Sequence, residues 1–178
     1  MGTLTNPRSV ILFTSIIFRN PGLPDKTENK IKEAVGDILD KTDSIPFRYT
    51  DYYEKEMGNN LSRFFLLFEP LFQRELLPEI KLRTNNIETV FSSEGKRLVN
   101  LDPGYISLEN IVLATTKGYS HRIYLDHGIY ADLTLIFRNG TYKPLEWTYP
   151  DYGSEETIGI FNRWRSILKG KTTKHKIR

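Results

Sequence analysis

Residues 115–122, Thr115-Thr116-Lys117-Gly118-Tyr119-Ser120-His121-Arg122, crowd hydroxyls, two permanent cations and an imidazole into one short run. Histidine is the side chain that titrates near neutrality when unperturbed, so His121 is a candidate general acid or base. Lys117, Ser120 and Arg122 add the donors that an anion needs. Two further runs share this mixture of polar groups and large aromatics. Val99-Asn100-Leu101-Asp102-Pro103-Gly104-Tyr105 offers Asn100, Asp102 and Tyr105, and Glu146-Trp147-Thr148-Tyr149-Pro150-Asp151-Tyr152 offers Tyr149 and Asp151. Asp51, in Thr50-Asp51-Tyr52-Tyr53, is a second carboxyl group to set beside Asp102. Asn85 aligns with Lys81 and Glu88 at helical spacing. Apolar walls around a few convergent polar groups are the make-up of a ligand pocket. The expectation is a small enzyme or a binding protein for an anionic small molecule, phosphorylated or nucleotide-like.

Each of these residues also has a purely structural account. Lys117-Gly118 reads as a helix end, with a cation on the dipole and glycine at the stop. Asp102-Pro103-Gly104 is turn chemistry, and the Lys81, Asn85, Glu88 stripe is an ordinary solvated helix face. His127 and His175 have no partner at ligand spacing, and neither a D-x-D nor an H-E-x-x-H pattern occurs, so no metal site is expected and no cofactor is implied. The nearest approach to a P-loop, residues 36–42, has Asp40 where the second glycine belongs. The G-x-S-x-G elbow and the G-x-G-x-x-G loop are both absent.

The elements that must carry these groups follow from periodicity. Residues 10–19 are apolar at both parities, as in a strand buried on both faces. Asp25 or Thr27 then caps a helix with Ile31, Ala34, Val35, Ile38 and Leu39 on one face. Pro46-Phe47-Arg48-Tyr49 suits an edge strand. Residues 64–68 are a second continuous apolar run, a helix follows over 77–91, and residues 97–101 form a fourth strand. The order is β-α-β-β-α-β, the ferredoxin-like pattern of an α+β fold. Beyond it come a helix over 108–117 capped by Ser107, a hairpin turning at 126–128, a second hairpin at Asn139-Gly140, and a final helix over 155–169. In the first hairpin Arg122 faces Asp132 as a cross-strand ion pair, and His121 falls on the apolar face.

The chain has 178 residues, 39% hydrophobic and 26% charged, which fits one globular domain over 1–168. It has no cysteine, which excludes disulfides, thiolate catalysis and cysteine-ligated zinc. The nine-residue apolar run from Val10 to Phe18 is too short for a membrane span, which needs about 20 residues. A cytoplasmic protein without membrane contact is the expectation. The pI of 9.0 comes from one place. Residues 165–178 hold six of the 25 basic residues and no acid, leaving 19 basic against 22 acidic residues in the rest. Residues 169–178 therefore read as a basic, disordered tail. Two alternatives to a small-molecule site are an RNA-associated module, stacking bases on a sheet face with the tail on phosphates, and a non-catalytic interaction protein.

Five segments together resemble the prokaryotic domain-of-unknown-function family 4416. They are Thr50-Asp51-Tyr52-Tyr53, Lys81-Leu82-Arg83-Thr84-Asn85, residues 99–105, Ser120-His121-Arg122-Ile123-Tyr124-Leu125 and Trp147-Thr148-Tyr149-Pro150-Asp151-Tyr152. The resemblance spans residues 9–168. It implies a small intracellular protein with no established activity. A GTP-binding label attached to some such proteins gains no support from a chain without a P-loop. The positions matching the family's polar motifs are Asp51, Tyr52, Asn85, Asn100, Asp102, Tyr105, Lys117, His121, Arg122 and Asp151.

Overall fold

The computed structural model describes residues 2–175. Its elements in chain order are β1 (Val10–Phe18), α1 (Pro24–Val35), β2 (Ile38–Lys41), β3 (Ile45–Pro46), α2 (Glu54–Met57), β4 (Ser62–Phe72), α3 (Leu77–Val90), β5 (Ser92–Ser93), β6 (Lys96–Arg97), β7 (Val99–Ile106), β8 (Asn110–Thr115), β9 (Arg122–Asp126), β10 (Ile129–Arg138), β11 (Thr141–Pro144) and α4 (Glu155–His175). Nine strands form one antiparallel sheet in the order β11-β10-β8-β7-β1-β4-β2, with β3 beside β4 and β9 beside β10. The protein is thus α+β. None of its described helices is long and apolar enough to cross a membrane.

The sheet is covered on both faces. Leu12, Ile16 and Phe18 of β1 pack with Ile31 of α1 and with Leu77, Ile80 and Ile87 of α3. The intervening Ile11 and Phe13 pack with Phe161, Trp164 and Leu168 of α4. Every residue of β1 is buried for this reason, and its run is apolar at both parities because neither face meets water.

Several sequence expectations are corrected. The apolar stripe of α1 continues into Ile38 and Leu39, but Gly36, at φ 137°, ends the helix, and those residues enter the edge strand β2. The strand expected at residues 46–49 shrinks to β3, two residues long, because its antiparallel partner β4 begins at Ser62 and Pro46 already faces that residue. Residues 108–117 are not a helix. Ile111 to Ala114 are buried without a break in β8, and a short apolar run buried on both sides carries no period that separates helix from strand. Ser107 Oγ instead accepts from the backbone N–H of Glu109 and of Asn110, closing the tight β7–β8 turn. Lys117 and Gly118 therefore end no helix. Helix α1 begins without a side-chain cap, and the Thr27 hydroxyl donates to the Leu23 carbonyl. The β9–β10 hairpin turns on His127 and Gly128, both at positive φ, with Asp126 opposite Ile129. An irregularity beside Leu125 restores the expected pairing from Tyr130 onward, so Arg122 does face Asp132. The Asn139-Gly140 turn forms as expected, with φ of 51° and 82°. Helix α4 runs past Lys169 to His175, and Lys171 Nζ donates to the Glu69 carboxylate at 2.9 Å. Lys176 and Arg178 of the expected tail lie outside the described residues.

Asp102-Pro103-Gly104 is not a turn but the middle of β7, and it shapes the molecule. Strand β7 pairs with β8 only over residues 104–106. A Cβ on Gly104 would stand 2.5 Å from the Val112 carbonyl oxygen and 2.9 Å from the Phe13 ring, so only glycine allows this approach. One residue earlier Pro103 has no N–H. Leu101, of the same parity, turns its N–H and C=O away from β1, so Pro103 removes the donor that β8 would next require. The two strands part there.

Candidate functional site

The parting of β7 and β8 opens a cleft of about 680 Å³. Its floor is the freed stretch of β7 with α3 behind it. One wall is the β8 end and the loop after it. The others are the 47–53 segment and the 149–152 turn.

The freed β7 edge is satisfied by α3. Lys81 Nζ donates to the Leu101 carbonyl at 2.8 Å, and the Leu101 N–H donates to Glu88 Oε1 at 2.6 Å. These side chains are two helical turns apart on one face, which is why they reach both polar groups of one residue. Both are buried, so the stripe is no solvated face, and Asn85 between them lines the cleft.

Arg97 is the centre of the floor. Its guanidinium donates to both carboxylate oxygens of Glu56, at 2.8 and 2.7 Å, to Glu88 at 3.2 Å and to Asn100 Oδ1 at 2.8 Å. Asn100 Nδ2 passes the chain on to Asp102 Oδ2 at 2.7 Å. Bidentate charge-assisted bonds of this kind fix geometry as well as charge. The Glu56 carboxyl is held below the usual range by its bonds from Arg97, whereas burial pushes the Glu88 carboxyl up. Burial, then the nearby Asp102 charge, keeps the Tyr53 phenol protonated.

The opposite wall is tied by Arg122. It donates to Asp132 Oδ2 at 2.8 Å, to the Lys117 carbonyl at 3.0 Å and to the Tyr149 hydroxyl at 2.8 Å. One side chain thereby holds β10, the loop after β8 and the 149–152 turn together. Asp151 forms a buried ion pair with Arg63, whose guanidinium lies 4.6 Å from the Phe65 ring centre and 5.2 Å from that of Tyr152. Lys117 Nζ sits 4.5 Å over the Tyr52 ring and donates to the Tyr52 hydroxyl.

Of the expected site residues, Asn85, Asn100, Asp102, Lys117, Arg122, Tyr149 and Asp151 line this one cleft. Four do not. His121 stands behind the wall, stacked on Trp147 at 4.9 Å and 13°, with Nε2 3.5 Å from Asp132 Oδ2. Asp51 spends its carbonyl on the Glu54 N–H, while its neighbours Thr50 and Tyr52 line the cleft. Ser120 is exposed outside it. Tyr105 lies at the other end of β7, 5.7 Å under the Arg74 guanidinium. Of the trio His121, Asp102 and Asp51, therefore, only Asp102 reaches the cleft.

Arg97 and Arg63 are not marked by the sequence as site residues, and Tyr53 and Glu56 stand out there only as part of the acidic and aromatic run 50–58. Arg63 had a usable signal, a charge directly before the unbroken apolar run of residues 64–68. Arg97 had none, since its carboxylate partners lie 41 and 9 residues away. Among the described residues no three histidine, aspartate or glutamate side chains form a group able to hold a metal ion.

Fold and cleft together define an α+β protein whose central sheet opens, between two of its strands, into a pocket of paired charges and tyrosines. The chain belongs to the family described as a domain of unknown function, DUF4416, whose model matches residues 8–167. No curated protein and no solved structure matches it.

Proposed function

We propose that this cleft binds a small anionic molecule, with Lys117 as the anchor. The supporting observation is a charge inventory. Lys81, Arg97 and Arg122 each stand against a carboxylate, at 3.6, 2.7 and 2.8 Å. Lys117 is the remaining lining cation, and among the described residues no carboxylate pairs with it. It is exposed at the mouth, beside Thr115 and Thr116. An unneutralised ammonium flanked by hydroxyls favours an incoming phosphate or carboxylate. The rings of Tyr49, Tyr52 and Tyr149 offer walls for the body of the ligand. Arg122 holds Lys117 through its backbone rather than holding the anion. If the ligand is also turned over, Asp102 is the carboxyl group we assign to proton transfer.

The proposed ancestry of the scaffold is ferredoxin-like. Strands β7-β1-β4-β2, joined through α1 and α3 on one face, have the order expected of a βαββαβ sandwich. Strands β8 to β11 and α4 would then be the extension that makes the cleft. The RNA alternative has less support, because it needs an open sheet face and helices cover both.

The test is a thermal-shift and calorimetric screen of the full chain against inorganic phosphate, sugar phosphates and nucleoside monophosphates. Binding that weakens about tenfold or more in Lys117→Ala, the loss of one charge-assisted contact, supports the proposal. A panel with no binder, or binding indifferent to Lys117→Ala, sinks it.

A further inference from the structure

We infer that the floor of the cleft is a hydroxyl-binding subsite built on Asp102, so that the ligand class is a phosphorylated polyol. This rests on the anion reading above and adds what the other end of the ligand must be.

The lining carboxylates are not equivalent. Asp132, Glu88 and Asp151 have side-chain exposures of 4, 8 and 10%, and each is held by an arginine. Asp102 is 27% exposed and has no guanidinium partner. Its nearest cation, Lys81, stands 3.6 Å away and already donates to the Leu101 carbonyl. Asn100 takes one lone pair of Oδ2. A carboxylate accepts about four hydrogen bonds, so Asp102 has acceptor capacity open to the cleft. Beside it stand donors. The Tyr53 phenol lines the adjoining wall and remains protonated there. Tyr152 lines a second adjoining wall, close enough to Asp102 for that charge to add to burial in pushing its phenol up.

Open acceptors next to phenol donors match a group that both donates and accepts. A hydroxyl does so without charge. An ammonium would pair with Asp102 as well, but Lys81 already stands 3.6 Å from that carboxylate as its cation. A neighbouring pair of hydroxyls fits better than either. Lys117, the unpaired cation at the mouth, and Asp102, the carboxylate with open acceptors at the floor, thus read the two ends of one molecule. A cleft of about 680 Å³ has room for a phosphate and a sugar between them.

Calorimetry on the full chain with inorganic phosphate, glucose 6-phosphate, ribose 5-phosphate and glucosamine 6-phosphate tests this. At least one neutral sugar phosphate is expected to bind about tenfold tighter than inorganic phosphate, the worth of a charge-assisted contact. Asp102→Asn should erase that advantage and leave inorganic phosphate within about twofold, since Lys117 is untouched. Tyr53→Phe, a smaller change less apt to disturb folding, should reduce the advantage about threefold. Equal binding of all phosphates by the wild-type chain, or an advantage that survives both variants, overturns the subsite while leaving the anion reading standing. Tighter binding of glucosamine 6-phosphate than of glucose 6-phosphate overturns the hydroxyl in favour of an ammonium. Absence of any phosphate binding overturns both proposals.

Discussion

Arg97 joins two glutamates that titrate in opposite senses. Glu56 has its carboxyl lowered, chiefly by hydrogen bonds from Arg97, so it stabilises the fold above its unfolded value and loses that contribution as the pH falls through the folded one. Glu88 has its carboxyl raised, chiefly by burial. Its neutral form suits the folded state, so its contribution is complete below the unfolded value near 4.5 and is lost as the pH rises through the folded one. Urea unfolding between pH 3 and 7 separates them. Glu56→Gln is expected to cost about 1 kcal/mol at pH 7 and almost nothing at the acid end. Glu88→Gln keeps an acceptor for the Leu101 N–H, so its stability relative to wild type should improve as the pH rises above about 4.5. Gaps that move in the same direction for both variants would show that burial does not control Glu88.

Strand β7 does two jobs that its sequence states in one tripeptide. Gly104 lets β8 approach, and Pro103 lets it leave. Gly104→Ala places a methyl group against the Val112 carbonyl and the Phe13 ring, and both are packed in the sheet. A loss of about 1–3 kcal/mol is expected, the usual range for overpacking, with anion binding weakened because the cleft begins one residue away. Unchanged urea midpoints would mean that the strands are not held this closely. Asp-Pro-Gly is turn-forming in isolation, and only the absence of a ladder partner beside Pro103 makes it acceptable within a strand. That fact belongs to β8, not to the tripeptide. The same limit explains residues 108–117. Ile111-Val112-Leu113-Ala114 is buried on both sides, so neither alternation nor a helical stripe survives to be read. Where one side meets water the pattern was legible, as in α3 and in the Asn139-Gly140 hairpin. Arg122 opposite Asp132 was legible too, because a turn fixes register on both of its strands. Lys81 and Glu88 were visible as a stripe but not as a clamp, since what they clamp lies on another strand.

The whole molecule is a sheet sealed by α1 and α3 on one side and α4 on the other, leaving the parting of β7 and β8 as its large opening. The sequence located the polar runs that meet there, because the three runs come from the β7 edge, the β8 end and the turn before α4. It did not show that His121 falls behind the wall, since the loop of residues 116–121 follows no period. Nor did it show α4 continuing into the basic segment. A row of lysines looks solvated whether or not it is helical, and Lys171 meets Glu69 from a distant strand. Truncation after Lys169 tests what that last stretch contributes. It removes the contacts of Lys171 and the end of α4 but leaves Trp164 and Leu168 buried and every cleft residue in place. An ion pair this exposed is worth about 0–1 kcal/mol, and about 1 kcal/mol moves the melting temperature of a chain this long by about 2–4 °C. The truncated chain should therefore melt no more than about 4 °C lower and bind phosphate as the full chain does. RNA retention measured across a salt series decides the remaining alternative. Tight binding by the full chain, lost with a smaller salt slope on truncation, would mean that the basic segment is the functional surface and the cleft is incidental.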